Sequence, residues 1–364
     1  MTSQTNKPNS LTLNFNFAKP LRPNEVKPVG YGIVLKPQLA YDPKIGEDYS
    51  LFLDYAKTQN PIAWASEHRF VAEPKMDGVR GQFVVELQPD GSLLAYCLTR
   101  ANRRLTSVDH LLADLESNEA LAKLLINQSG FDKLVIDSEL TVYNADNSNE
   151  EFRYINGLAN RKNGDAETAR LSAYIFSIYF IDDHGNCTST VDPFRFEHFI
   201  YSPTGLGLPE NGHWASAPRY YIGSAEQLAS LCSKLKAKSW EGIVLKSMDY
   251  RHFNGRTKHW LKLKFRRTGT FKLLGVELGE GKCANTCGAI KIGDAIGQTT
   301  MVGTGMTDSD RDELMSLDYI NHSYYIQVSY MTKTGSSLRE PVYQAIRYEL
   351  TDSPNPSLDI FQRR

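Results

Sequence analysis

From Phe70 onward the chain reads as short strands more than long helices, and no other feature constrains its fold as much. FVAEPK, GQFVVELQ and LLAYCLTR follow one another, with a turn at Pro89-Asp90-Gly91 between the last two. A helix predicted over 107–127 (SVDHLLADLESNEALAKLLIN) separates them from the strand KLVIDSEL. Ser224 with Gln227 makes a capping-box start for the helix AEQLASLCSKLKAK, which leads into EGIVLKS and HWLKLKF. One further helix is expected over 50–68, before the strands begin.

After Phe265 the texture changes. Glycines become frequent (GTFKLLGVELGEGK, GAIKIGDAIG, MVGTGM), the apolar runs shorten, and one helix over 309–317 interrupts them. Short strands with glycine corners predict a small barrel of about five strands. A domain boundary is expected near Arg266–Gly269, and 364 residues suffice for two domains with their own cores. Residues 1–30, rich in Pro, Asn and Lys, read as an extended arm, and 351–364 (TDSPNPSLDIFQRR) as a tail.

Hydrophobic residues at 41% and charged residues at 23% describe an ordinary globular protein. No apolar run reaches the length of a membrane span, and MTSQTNKPNSLTLNFNFAKP lacks a signal-peptide plan. An intracellular, cytoplasmic protein that meets no membrane is therefore expected. Five scattered cysteines make no disulfide framework, and Cys283 with Cys287 lack a second ligand pair for zinc. Net charge is −1, yet Lys246 to Lys272 carries nine Lys or Arg against one acid, Asp249, a balance of 9 − 1 = +8. Such a run is either a solvated face or a surface for a polyanion.

Four stretches carry candidate chemistry. In EPKMDGVRG, Glu73 and Lys75 precede Asp77-Gly78, and Arg80 follows. Asp-Gly between apolar runs predicts a hairpin turn, with the charges as solvated flanks. In LVIDSEL, alternation puts Val135, Asp137 and Glu139 on one face, and two acids there must be solvated or hold a cation. In HWLKLKF, Leu261, Leu263 and Phe265 share the core face, while Trp260, Lys262 and Lys264 share the other. Two neighbouring lysines suit a bound phosphate, or equally an edge strand guarded against aggregation. In EGIVLK, Glu241 and Lys246 fall on opposite faces, so both serve one pocket only from strand ends.

Taken in order, these stretches resemble the covalent nucleotidyltransferase superfamily, and specifically ATP-dependent DNA ligases of the compact bacteriophage type. EPKMDGVRG resembles the adenylylation motif, LTRANRR the arginine-bearing motif after it, and VIDSEL the motif usually written with DGE. AYIFSIYFIDD resembles the adenine-stacking motif, EGIVLK and WLKLK the last two motifs of the catalytic domain, and SSLREPVYQAIRYE the C-terminal ligase signature. FRYINGLANRK is similar to the Asn-Gly-bearing loop of phage ligases. Two departures stand out: Ser138 replaces the usual glycine, and the ending Arg347-Tyr348-Glu349 lacks the Asp-Lys pair of larger ligases.

The resemblance implies an α+β fold: a nucleotidyltransferase (adenylation) domain with antiparallel sheets over 31–266, then a small OB-fold barrel over 267–350. It implies sealing of nicked double-stranded DNA by a monomer, with ATP and Mg2+ (or Mn2+). Lys75 is implied as the nucleophile that accepts AMP, with Lys262 and Lys264 holding the transferred phosphate. Attack needs a neutral amine, and Arg80, Lys262, Lys264 and a bound cation would favour it by disfavouring the ammonium. Glu73 is implied for the adenine amino group, Phe176 or Tyr174 for stacking, Arg80 and Lys246 for the rest of the nucleotide, Arg100 for phosphate of the nucleotide or the nick, and Arg339 and Arg347 for pyrophosphate. Glu139, Glu241 and Asp137 are the candidate metal ligands, Glu139 touching ribose as an alternative. Arg153, Asn156, Arg161, Arg256 and Arg266 are candidates for DNA. Two other readings share the KxDG motif: a GTP-dependent RNA-capping guanylyltransferase, and an inactive relative that only grips nicks.

Overall fold

The computed structural model describes residues 38–60, 70–128, 130–131, 133–142, 152–182, 187–188, 196–210, 212–238, 240–247, 255–334 and 337–347. The expected arm, the expected tail, and 248–254 of the basic run lie outside these residues. The chain divides into two compact units, Met1–Leu263 and Lys264–Arg364.

The first unit is built on two sheets. In chain order its strands are β1 (Gln38–Tyr41), β2 (Phe70–Lys75), β3 (Val79–Leu87), β4 (Leu93–Leu98), β5 (Arg104–Leu105), β6 (Lys133–Thr141), β7 (Ser172–Ile181), β8 (Cys187–Thr188), β9 (Trp214–Ser216), β10 (Tyr220–Ile222), β11 (Gly242–Ser247) and β12 (Gly255–Lys264). One sheet runs β1-β12-β11-β2-β10 and the other β5-β4-β3-β6-β7-β8, with β9 beside β7. β2 pairs antiparallel with β10 and β11, β3 with β4 and β6, and β6 with β7, while β1 with β12 and β7 with β9 are parallel.

The second sheet is buried on both faces, which explains its near-continuous apolar strands. Phe83, Val85, Ile136, Leu140, Ile175 and Phe180 pack on one side with Leu111, Leu115, Leu121 and Leu125 of the helices, while Val84, Tyr96, Val135 and Tyr179 pack on the other. Each such side chain contributes about 1.5–3 kcal/mol of burial.

Three expectations change here. Asp77-Gly78 closes no hairpin, because β2 and β3 belong to different sheets and the chain crosses between them. Gly78 is not among the glycines with positive φ. It is needed for space: a Cβ there would stand 2.2 Å from the Leu140 carbonyl oxygen and 2.9 Å from Glu139 Cγ. The helix expected over 107–127 is two, Asp109–Glu116 and Glu119–Asn127. Asn118 starts the second, accepting from Leu121 N while its amide donates to the carbonyls of Leu206 and Gly207. The helix expected over 50–68 is described as Tyr49–Gln59, and 61–69 lie outside the described residues.

The second unit holds β13 (Arg267–Leu278), β14 (Cys287–Gly293), β15 (Thr299–Val302), β16 (Tyr325–Tyr330), β17 (Lys333–Thr334), β18 (Ser337–Leu338) and β19 (Val342–Arg347). Five form an antiparallel sheet in the order β15-β14-β13-β16-β19, around Phe271, Ile290, Ile292, Val302, Leu314, Ile326 and Val328. The helix Asp308–Ser316 opens with a capping box from Thr307 and Asp310. The expected barrel is not closed: among the described residues β15 and β19 form no ladder, and Tyr343 N donates to the Thr304 carbonyl at 2.9 Å near their ends. Among the described residues no helix is long and apolar enough to cross a membrane.

Candidate active site

The crossing from β2 to β3 brings both sheets of the first unit to one place. Lys75 ends β2 and stands opposite Gly242 on β11. Glu241, the residue before that strand, therefore reaches the lysine, and its carboxylate accepts a hydrogen bond from Lys75 Nζ. This is the strand-end arrangement that EGIVLK needs for Glu241 and Lys246 to serve one region. Across the crossing, Gly78 N donates to Glu139 Oε1 at 3.2 Å. Burial pushes the Glu139 carboxyl up to about 7; Lys75 and Arg80 oppose that shift, and the charge of Glu241 adds to it.

Asp137 is not available beside them. Arg80 grips it with two nitrogens, Nε at 2.8 Å and Nη2, and Nη1 donates to the Gln38 carbonyl at 2.8 Å. Asp137 is fully buried. The pair holds the Arg80 guanidinium above its usual value, although burial alone works the other way. A carboxylate so engaged has no free side for a metal ion, so the expected acidic group contracts to Glu139 and Glu241. Ser138 also has a role: its hydroxyl, buried, donates to the Gly81 carbonyl at 2.9 Å.

A second cluster surrounds Glu73, which is 3% exposed. Lys246 Nζ lies 2.6 Å from Glu73 Oε2 and donates to the Phe176 carbonyl at 2.8 Å. It also sits 4.2 Å from the Trp260 ring centroid and 5.1 Å from that of Phe176. Burial lowers the Lys246 ammonium to about 8 against the opposing pull of Glu73. Phe176 is the extra residue of a bulge: Asp137 pairs with Ser177 and Ser138 with Ile175, leaving Phe176 between them. The bulge turns Phe176 toward Arg80 (5.1 Å) and edge-on to Trp260 (6.1 Å). Tyr174 pairs instead with Glu139 and feels Tyr201, and burial raises its hydroxyl.

Arg219, which no motif pointed to, completes this cluster. Its Nε is 3.0 Å from Glu73 Oε1, and Nη2 donates to the Phe176 carbonyl at 3.3 Å. Trp260 was legible only as a face-mate of the two lysines. Nothing in the sequence signals Arg219, because its partners come from two distant strands.

The remaining expected residues are more dispersed. Lys262 is half-buried on β12, with Leu261 and Leu263 buried on the other face. Lys264 is held by both carboxylate oxygens of Glu340, at 2.9 and 2.6 Å. Burial works against charge on Glu340, yet Lys264, Arg339 and Arg266 keep its carboxyl below the ordinary value. Arg266 spends its donors inside the second unit, on Ser329 and the Glu340 carbonyl. Arg339 holds the backbone there, its N donating to Thr332 O at 2.8 Å, and Arg347 donates to Gln327 Oε1 at 2.7 Å. Arg100 is exposed in the turn after β4.

FRYINGLANRK is not a loop: Phe152–Ala159 is a helix whose outer side carries Arg153 and Asn156. Arg161 pairs with Asp165, and Arg256 donates to the Ala40 carbonyl at 2.8 Å. Among the described residues, no group of three or more His, Cys, Asp or Glu is poised for a metal ion.

The family model described as "ATP dependent DNA ligase domain" matches residues 54–264. The chain is 30% identical over 121 residues to a "Probable DNA ligase" of Anaeromyxobacter sp. (strain K), covering 29% of this chain and 24% of that protein. It is 23% identical over 209 residues to "DNA ligase 1" of Methanosarcina mazei, covering 51% of this chain and 35% of that protein. The chain thus spans only about a quarter to a third of these relatives' length. A solved structure from a study of Lig E DNA ligases aligns with a TM-score of 0.59 at 15% identity, covering 86% of this chain and 100% of that one. At that identity the likeness speaks to the fold, an α+β nucleotidyltransferase domain followed by an OB-fold domain.

Proposed function

Because this chain belongs to the ATP-dependent DNA ligase family, we propose that it seals nicks in duplex DNA between a 3′-hydroxyl and a 5′-phosphate, through AMP carried on Lys75. The observation that carries this reading is the convergence of Lys75, Glu241 and Glu139 at the crossing between the two sheets.

In the first step Lys75 Nζ attacks the α-phosphorus of ATP. A phosphorus–nitrogen bond forms, the bond to pyrophosphate breaks, and the amine gives up a proton. The AMP then passes to the 5′-phosphate at the nick, and the 3′-hydroxyl displaces it. Lys75 is positioned by Glu241, so the amine must leave this carboxylate before it attacks.

Two carboxylates fit a Mg2+ or Mn2+ ion, which needs only one or two from the protein when phosphates supply the rest. The raised Glu139 carboxyl, half-buried and close enough to feel the charge of Glu241, supports the fit, since a divalent cation relieves that strain. Glu139 and Glu241 would hold the ion, which when bound neutralises charge on the phosphates. Phe176, set beside Arg80 and Trp260 by its bulge, serves adenine as a stacking face, and Glu73 serves its amino group. Lys262 is the lysine of β12 that carries phosphate, with Lys264 joining it once released by Glu340. Arg153 and Asn156 on the helix Phe152–Ala159, with Arg256, serve the DNA backbone.

A singly nicked duplex with a labelled strand, incubated with ATP and Mg2+, tests this directly. Joining of the labelled strand is the expected result. Binding of the nicked duplex without joining would overturn the reading in favour of an inactive nick-binding relative.

A further inference from the structure

Glu73 is held from two sides by cations of different kinds, and only one of them belongs to a motif. Lys246 meets Oε2 and Arg219 meets Oε1. The side chains of the two cations are 9% and 16% exposed, so this is a shielded cluster in which charge acts strongly. Both cations donate to one acceptor, the Phe176 carbonyl.

The position of Arg219 in the fold makes the arrangement informative. β9 pairs with β7, where Ser216 faces Ile175, and β10 pairs with β2, where Tyr220 faces Ala72. Residues 216–220 are therefore a second crossing between the two sheets, alongside that of Met76 to Gly78. Arg219 sits on this crossing and ties Glu73 of one sheet to the Phe176 backbone of the other. Losing it loosens the carboxylate and the bulge together, with Lys246 left as their remaining hold.

The geometry at Glu73 also leaves one carboxylate oxygen unsatisfied. Arg219 Nε is close to Oε1 as an ion pair, but Oε1 is buried without an aligned hydrogen-bond donor. A buried carboxylate oxygen in that condition favours a ligand that supplies an N–H. The 6-amino group of adenine is such a donor, whereas the 6-oxo group of guanine puts one acceptor against another.

We infer that Arg219 is a positioning residue for purine selection: it fixes Glu73 so that Oε1 takes the amino group of a 6-aminopurine and rejects a 6-oxopurine. This rests on the reading of the chain as an AMP-accepting ligase. Arg219 acts through Glu73, which serves the base. Its removal therefore alters the choice of nucleotide more than the chemistry of transfer.

The test is covalent labelling of the full chain with ATP or GTP, each labelled at the α-phosphate, in the wild type, Arg219→Gln and Arg219→Lys, with thermal melts of all three. In Arg219→Gln the ATP-over-GTP preference falls by about tenfold or more, mainly through a higher KM for ATP. Arg219→Lys recovers part of the preference, since it restores charge without the planar fork. An unchanged preference in a folded Arg219→Gln overturns the inference alone. If Arg219→Gln does not fold, Arg219→Lys decides: a preference reduced at least about threefold supports the inference, and an unchanged one overturns it. A wild type labelled by neither nucleotide overturns the ligase reading itself, and the inference with it.

Discussion

The amine of Lys75 donates to the carboxylate of Glu241, although the two residues lie far apart in the chain and only the pairing of β2 with β11 joins them. The Glu241 side chain is 6% exposed and that of Lys75 25%, so the pair sits at the mouth of a shielded site. Glu241→Gln removes the charge while keeping the shape. Labelling of Lys75 from ATP is expected to slow on the order of 100-fold, with little change in the urea midpoint. A loss of stability equal to the loss of labelling would point to a structural pair instead.

Arg80 and Asp137 form a deeply buried ion pair of the site, with side chains 13% and 1% exposed. Arg80→Ala leaves the Asp137 charge without its partner and is expected to destabilise the first unit by about 3–5 kcal/mol in urea titration. The double variant Arg80→Met with Asp137→Leu is expected to recover most of that stability. It does not recover labelling if Arg80 also serves the nucleotide.

Glu139 gives the site a pH signature with a definite sign. Its carboxyl rises from an ordinary 4.5 to about 7, so the folded protein binds this proton more tightly than the unfolded chain. That contribution is complete below pH 4.5 and is lost as pH climbs through 7. Between about pH 5 and pH 8, Glu139→Gln is expected to flatten part of the fall in melting temperature. At the upper end it is expected to exceed the wild type by on the order of 1–2 kcal/mol, discounted for partial solvent screening. A parallel pH profile in the two proteins would remove Glu139 from the account.

Gly78→Ala adds a methyl group 2.2 Å from the Leu140 carbonyl, a distance the backbone must open to accept. A cost of about 1–3 kcal/mol in the urea midpoint is expected, together with weaker labelling, because the same shift displaces Lys75. Gly91→Ala is the control: it lies in a positive-φ turn with nothing within 4 Å, so it is expected to leave labelling intact.

What the sequence conveyed depended on how local each signal was. The alternation of HWLKLKF survives intact, with Leu261, Leu263 and Phe265 buried and the lysines on the other face, because period two is a property of one strand. Asp77-Gly78 misled for a physical reason: the dipeptide suggests backbone freedom, but this glycine answers a steric demand set by β6. Phe176 and Tyr174 were indistinguishable by alternation, since a bulge changes parity within β7 and only the pairing with β6 reveals it. The break at Ser117-Asn118 was hidden inside an apolar period, where Asn118 is fixed by carbonyls far along the chain. Arg219 was invisible for the same reason: its role exists only where two sheets meet.

Every role proposed for the site turns on a covalent bond between Lys75 and AMP. The protein is incubated with Mg2+ and ATP labelled at the α-phosphate, denatured, separated by electrophoresis and digested for peptide mapping. Label that survives denaturation on the peptide holding Lys75, and is absent from Lys75→Ala, is the expected result. Label retained by Lys75→Ala at the wild-type level, or mapped to another residue, would contradict it.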